Sequence, residues 1–162
     1  MQKDEELVRV PIEALLTANS VPKDFHNRHP SISVHGILAS YLAFGGMSAH
    51  EYDPWRATWP SIKDFEESMP IHWPQHCQDA LPYDAKSVLL ENQTKKFEKD
   101  WKIVVEAFPQ GKRSAYLYYW LIVNTRSFYF EAADLIPSSS ADDRMVLCPI
   151  VDYFNHNDEG VS

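Results

Sequence analysis

The sequence predicts an α+β domain, predominantly helical, with a few short β-strands. Three observations carry this. Val34, Ile37, Leu38, Tyr41 and Leu42 fall at the i, i+3, i+4, i+7, i+8 spacing of an amphipathic helix. The helical signal returns over 84–108, and again from Tyr116 to Val123, where the chain is apolar almost all round. The apolar run from Met145 to Pro149 is different: it is short and stopped by a proline, as a buried strand would be. A chain of 162 residues with 44% hydrophobic content can bury a sizeable core, and one domain is the default at that length.

Taken in order, Glu6 to Val10 alternates in polarity and meets Pro11, which reads as a short strand. Ile12, Leu15 and Leu16 follow as one apolar turn. Asp24 to Pro30 is a polar loop. A helix then starts near Ser31 and is ended by Gly45 and Gly46. Residues 53–82 are rich in tryptophan and proline, so short helical turns pinned by Trp55, Trp59 and Trp73 are expected.

Asp84 to Phe108 is the longest helical pattern. Leu90, Phe97, Trp101, Val104 and Phe108 form its apolar face, and Glu91, Lys95, Lys99 and Lys102 a solvated one. Pro109 and Gly111 break it. A third helix, Ser114 to Phe128, should be buried on most sides and pack beside the Met145 to Pro149 strand. Pro137 to Ser140, with Asp142 and Asp143, form the loop between them. Beyond the strand, Ile150 to Phe154 turns the chain into Asn155 and His156, and Asn157 to Gly160 are turn residues.

Composition excludes several function classes. The net charge is -8 and no basic block is present, so there is no electrostatic footprint for nucleic acid. An acidic balance favours a basic partner, such as a lysine-rich protein segment. Two cysteines far apart, Cys77 and Cys148, indicate a reducing compartment, cytoplasmic or nuclear, rather than a disulfide framework. No apolar run reaches the length of a membrane span, and the charged N-terminus is no signal peptide. His72, His76 and Cys77 make no closed tetrahedral set, so no metal is expected. Ser138 to Ser140 lack the partners of a hydrolase nucleophile, and no glycine-rich phosphate loop occurs.

Asn155 and His156 lie where a polar pair meets the mouth of a buried strand. Such a pair is either a satisfied turn or one wall of a small-molecule site. Arg126, near the end of a helix, reads on the residues alone as a cation complementing the helix dipole. Asp152 reads as structural, accepting backbone N–H groups of its own turn. Phe128 and Phe154 read as packing residues.

The segments Pro149 to His156, PIVDYFNH, and Asn124 to Phe128, NTRSF, in this order and one loop apart, carry a resemblance. They are similar to the signature of SET-domain protein lysine methyltransferases of the Rubisco large-subunit methyltransferase-like branch. There a strand ending in proline leads through Asp and two apolar residues to Asn-His, preceded by an Arg-Ser/Ala-Phe element. KDEELVRVP and the Trp-bearing stretch ending in Glu67-Ser68-Met69-Pro70 resemble the same family's earlier phrases.

The resemblance implies a partial SET domain. Residues 1–22 would be the early strand region, 23–128 the inserted helical region and 129–162 the start of the C-terminal SET half. It implies S-adenosyl-L-methionine as cofactor, contacted by Arg126, Asn155 and His156, with Arg126 and Asn155 on one side of a shared cleft. The partner would be a protein substrate with a target lysine. The alternative from another class is a catalytically inactive SET-derived interaction or cofactor-binding module, and a third reading is an unrelated helical adaptor. By the resemblance, the family's Gly-x-Gly turn would precede Met1 and its catalytic tyrosine would follow Ser162. Tyr116, Tyr118, Tyr119 and Tyr153 do not match that position, so no catalytic residue is assigned. The expectation for these 162 residues alone is weak cofactor binding, little or no turnover and poor solubility.

Overall fold

The computed structural model describes residues 6–45, 52–130 and 144–154. Among them the chain is mostly helical, with one small two-stranded antiparallel sheet. The helices are α1 (Lys23–His26), α2 (Val34–Phe44), α3 (Asp53–Arg56), α4 (Ile62–Ser68), α5 (Gln75–Asp79), α6 (Glu91–Ala107) and α7 (Arg113–Arg126). The strands are β1 (Ser127–Tyr129) and β2 (Met145–Leu147).

Helix α7 is the axis of the fold and packs against α2, α6 and α4. Its apolar stretch explains that position, because a helix apolar all round must be covered all round. Tyr116, Trp120, Leu121, Ile122 and Val123 are buried and meet Ile37 and Leu38 of α2 and Phe97 and Val104 of α6. Rings lock this seam: Phe97 stands edge-on to Trp120, with centroids 5.6 Å apart, and Trp101 stacks on Tyr116 at 5.5 Å.

The start of α2 is tied to α6 by a buried carboxylate. Ser33 caps α2 by accepting from the Gly36 N–H at 2.9 Å. Its hydroxyl lies 2.9 Å from both oxygens of Asp100, and the Trp120 indole N–H donates to the same carboxylate at 3.2 Å. Asp100 is only 2% exposed. It supplies negative charge at the positive end of the α2 dipole.

Gly36 makes room for this arrangement. A Cβ there would lie 2.7 Å from both Asp100 Cγ and Ile32 Cγ1. Gly36→Ala should therefore destabilise the fold by about 1–3 kcal/mol, the usual range for overpacking, despite alanine's better helix propensity. Urea denaturation checks this; a variant at least as stable as the wild type would show that Asp100 can move aside.

Several expectations need correction. Residues 6–11 form no strand; Leu7 and Val8 are exposed and no ladder partner lies beside them among the described residues. The early segment pairs instead at Leu16, which exchanges two 3.0 Å backbone bonds with Leu147. Ile12 to Ala14 form a short 3-10 turn. Residues 24–30 are not simply a polar loop, because α1 starts there and buries Phe25, with His29 just beyond it. The long helix begins as a π-wound segment, Asp84–Leu90, and becomes α-helical only from Glu91.

The third helix ends two residues early. Arg126 is its last residue, and Ser127 turns extended (φ -86°, ψ 150°). The register of β1 on β2 pairs Ser127 with Leu147, Phe128 with Val146 and Tyr129 with Met145. Those ladder bonds replace the helical ones, and they carry Phe128 out of the core to 39% exposure. Phe154, also expected to pack, is 54% exposed. The loop at Pro137 to Asp143 lies outside the described residues.

Candidate functional site

The sequence places the candidate site at Arg126, Asn155 and His156. The last two lie outside the described residues, so only the approach to them is described. That approach runs through β2, Cys148 and Pro149 into a short 3-10 turn, Val151–Tyr153. Ile150 takes a positive φ of 75° where the chain reverses, a conformation a branched side chain adopts only under constraint.

Arg126 closes α7 and faces this turn. Its Nη1 donates to Asp152 Oδ2 at 2.5 Å, and its Nη2 approaches the Thr58 carbonyl at 3.4 Å. The Arg126 side chain is 15% exposed and that of Asp152 only 1%. Asp152 does not serve its own turn, as expected from sequence. It takes the Trp55 indole N–H at 3.0 Å to both oxygens. The Tyr153 hydroxyl bonds the Thr58 hydroxyl. Three separate stretches therefore meet here: α3 with the turn after it, the end of α7, and the turn after β2.

Two buried donors are left over among the described residues, the Trp59 indole N–H and the Arg126 Nε–H. Arg126 Nε is buried and has no hydrogen-bond partner among the described residues. Buried guanidinium donors are normally satisfied, so an orphan asks for an acceptor. A carboxylate is the group that matches a planar fork best. What remains on Arg126 is one N–H, which a single carboxylate oxygen would satisfy.

Trp55 and Asp152 are the site residues that sequence reading missed in this role. A signal existed for Asp152: a charged residue within the apolar run Ile150 to Phe154 is rarely buried unless it is paired. Nearby Cys148 is no reactive thiolate, since burial first and the Asp152 charge second hold its thiol above the usual value.

A sizeable cleft lies elsewhere. About 590 Å³ in volume, it sits between the start of α2, α6 and β1, and neither Arg126 nor Asp152 lines it. Lys96 and Lys99 line it, together with His35, whose ring stacks on Trp120 with centroids 4.3 Å apart. The His35 Nε2–H donates to the Trp120 carbonyl at 2.9 Å. Among the described residues no group of three His, Cys, Asp or Glu side chains could hold a metal ion, and no helix is long and apolar enough to cross a membrane.

Two histidines give the fold a pH dependence. His29 is fully buried, donating from Nδ1 to the Phe25 carbonyl at 2.9 Å and accepting at Nε2 from the Ser40 hydroxyl at 3.1 Å. Burial lowers its pKa below the ordinary 6.5 against the Phe25 carbonyl bond, which raises it, while His26 and Arg28 add to the lowering. Burial likewise lowers that of His35, opposed by its bond to the Trp120 carbonyl and by the Asp100 charge and reinforced by Lys96. Both hold a proton less tightly in the fold than in the unfolded chain, which therefore binds protons first as pH falls. Their stabilisation is complete above the unfolded value of 6.5 and is lost as pH drops through the depressed folded values. Urea midpoints should therefore fall with pH below about 6.5, and less steeply in His29→Gln. An equal slope in that variant would contradict the assignment.

Comparison with family models, curated proteins and solved structures returned no match.

Proposed function

We propose that the chain is part of a SET-type, S-adenosyl-L-methionine-dependent protein-lysine N-methyltransferase, in which Arg126 holds the carboxylate of the cofactor's amino-acid end. The observation that carries this reading is the Arg126–Asp152 ion pair. It joins NTRSF to PIVDYFNH, the two segments on which the family resemblance rests, with a buried donor to spare. β1 and β2 lead out of the first segment and into the second, and their pairing supports the same reading.

The cofactor would supply an electrophilic methyl group on a sulfonium. The chain's part is to bind and orient. Arg126 Nε donates to the carboxylate, while Asp152 balances the guanidinium charge and holds its plane. Asn155 and His156, which follow Phe154 directly, are the proposed contacts for the rest of the cofactor. The substrate amine must be neutral to attack, and a dry apolar channel next to a sulfonium lowers its pKa in that direction.

Calorimetry with S-adenosyl-L-methionine should detect binding. Arg126→Met should weaken it by about tenfold or more, the worth of a charge-assisted hydrogen bond. Absence of binding at millimolar cofactor would overturn the reading. A radiolabelled methyl-transfer assay on a lysine-rich protein mixture then separates an enzyme, which labels lysine, from an inactive module, which binds the cofactor and labels nothing.

A further inference from the structure

We propose that Trp55 is a positioning residue for this site: its indole N–H pins Asp152 in a one-oxygen contact with Arg126 and so keeps Arg126 Nε free for a ligand carboxylate. The inference rests on the cofactor reading above and adds to it a residue of the helical region, far from either motif in sequence.

The argument starts from an asymmetry. A carboxylate beside a guanidinium prefers two parallel hydrogen bonds. Asp152 is buried, so no bulk water competes, yet only Oδ2 reaches Arg126, and only at Nη1. Something else must hold the carboxylate. Trp55 Nε1 lies 3.0 Å from both oxygens. The Trp55 ring is itself fixed, buried and edge-on to Trp59 with centroids 4.9 Å apart and planes at 88°. Without the indole N–H, the Arg126 fork is the remaining donor for Asp152 among the described residues. The carboxylate is then free to turn into a two-pronged contact, and the side-on form of that contact closes Nε. Trp55 thus decides whether Arg126 is spent internally or available.

The test compares dissociation constants for S-adenosyl-L-methionine and its decarboxylated analogue, which differ only in the carboxylate. The wild-type chain should prefer the carboxylate-bearing ligand by about tenfold to a hundredfold. In Trp55→Phe the preference should shrink to about threefold or less, through weaker binding of S-adenosyl-L-methionine alone, because the donor no longer faces the carboxylate. A general packing defect would weaken both ligands equally. If Trp55→Phe does not fold, benzothienylalanine at position 55, which keeps the indole shape and lacks the N–H, is read in the same way. A variant that retains the wild-type preference, or one that weakens both ligands equally, overturns the inference alone. A wild-type chain that binds neither ligand, or both equally, overturns the carboxylate subsite and this inference with it.

Discussion

Asp100→Ala should lower the stability of the fold by about 3–5 kcal/mol. Two donors, the half-buried Ser33 hydroxyl and the buried Trp120 indole N–H, lose their acceptor, and a buried loss of this kind costs about 1–3 kcal/mol. The α2 cap loosens as well, since Ser33 is held in place by the same carboxylate. Asp100→Asn retains an oxygen for one of these donors, so its cost should be closer to about 1–2 kcal/mol. Urea denaturation of both variants reads the difference. Equal stability of the alanine variant and the wild type would mean that water enters and replaces the carboxylate.

Arg126→Met should cost about 3–5 kcal/mol, the usual penalty for leaving one partner of a buried ion pair alone. Asp152 would keep only the Trp55 N–H among its observed partners. Adding Asp152→Leu should return most of that loss, because the stranded charge is then gone and an apolar pair fills the space. Cofactor binding separates the two roles of the pair. It should stay lost in the double variant even as stability recovers. A double variant that is stable and binds S-adenosyl-L-methionine like the wild type would leave Arg126 a structural role only.

Helices α2 and α6 were legible because each carries its own period. Val34 to Leu42 and Phe97 to Val104 repeat at helical spacing, and the residues so chosen are largely the ones that lie inside. What sequence hid depends on distant partners. Asp100 sits among lysines on a polar helix, and nothing local says that Ser33, 67 residues away, and Trp120 will enclose it. β1 continues an apolar helical pattern, and only its ladder to Met145–Leu147 makes Ser127 to Tyr129 extended. Asp152 looked like a turn residue because its true donor, Trp55, lies 97 residues earlier. Arg126 was singled out by its motif alone, whereas its tie to Asp152 and its unpaired Nε emerge only from the fold.

The Arg126–Asp152–Trp55 contact also bears on how the domain breathes. Short two-stranded pairings ordinarily open early, with amide protons exchanging through cheap local openings. Lifting β2 and the turn behind it would strand the Arg126 charge in a largely buried place, strip the acceptor from Trp55 and break the Leu16–Leu147 bridge together. The amides of β2 should thus exchange as slowly as those of α7, so that late-sequence residues and helical core open as one cooperative unit.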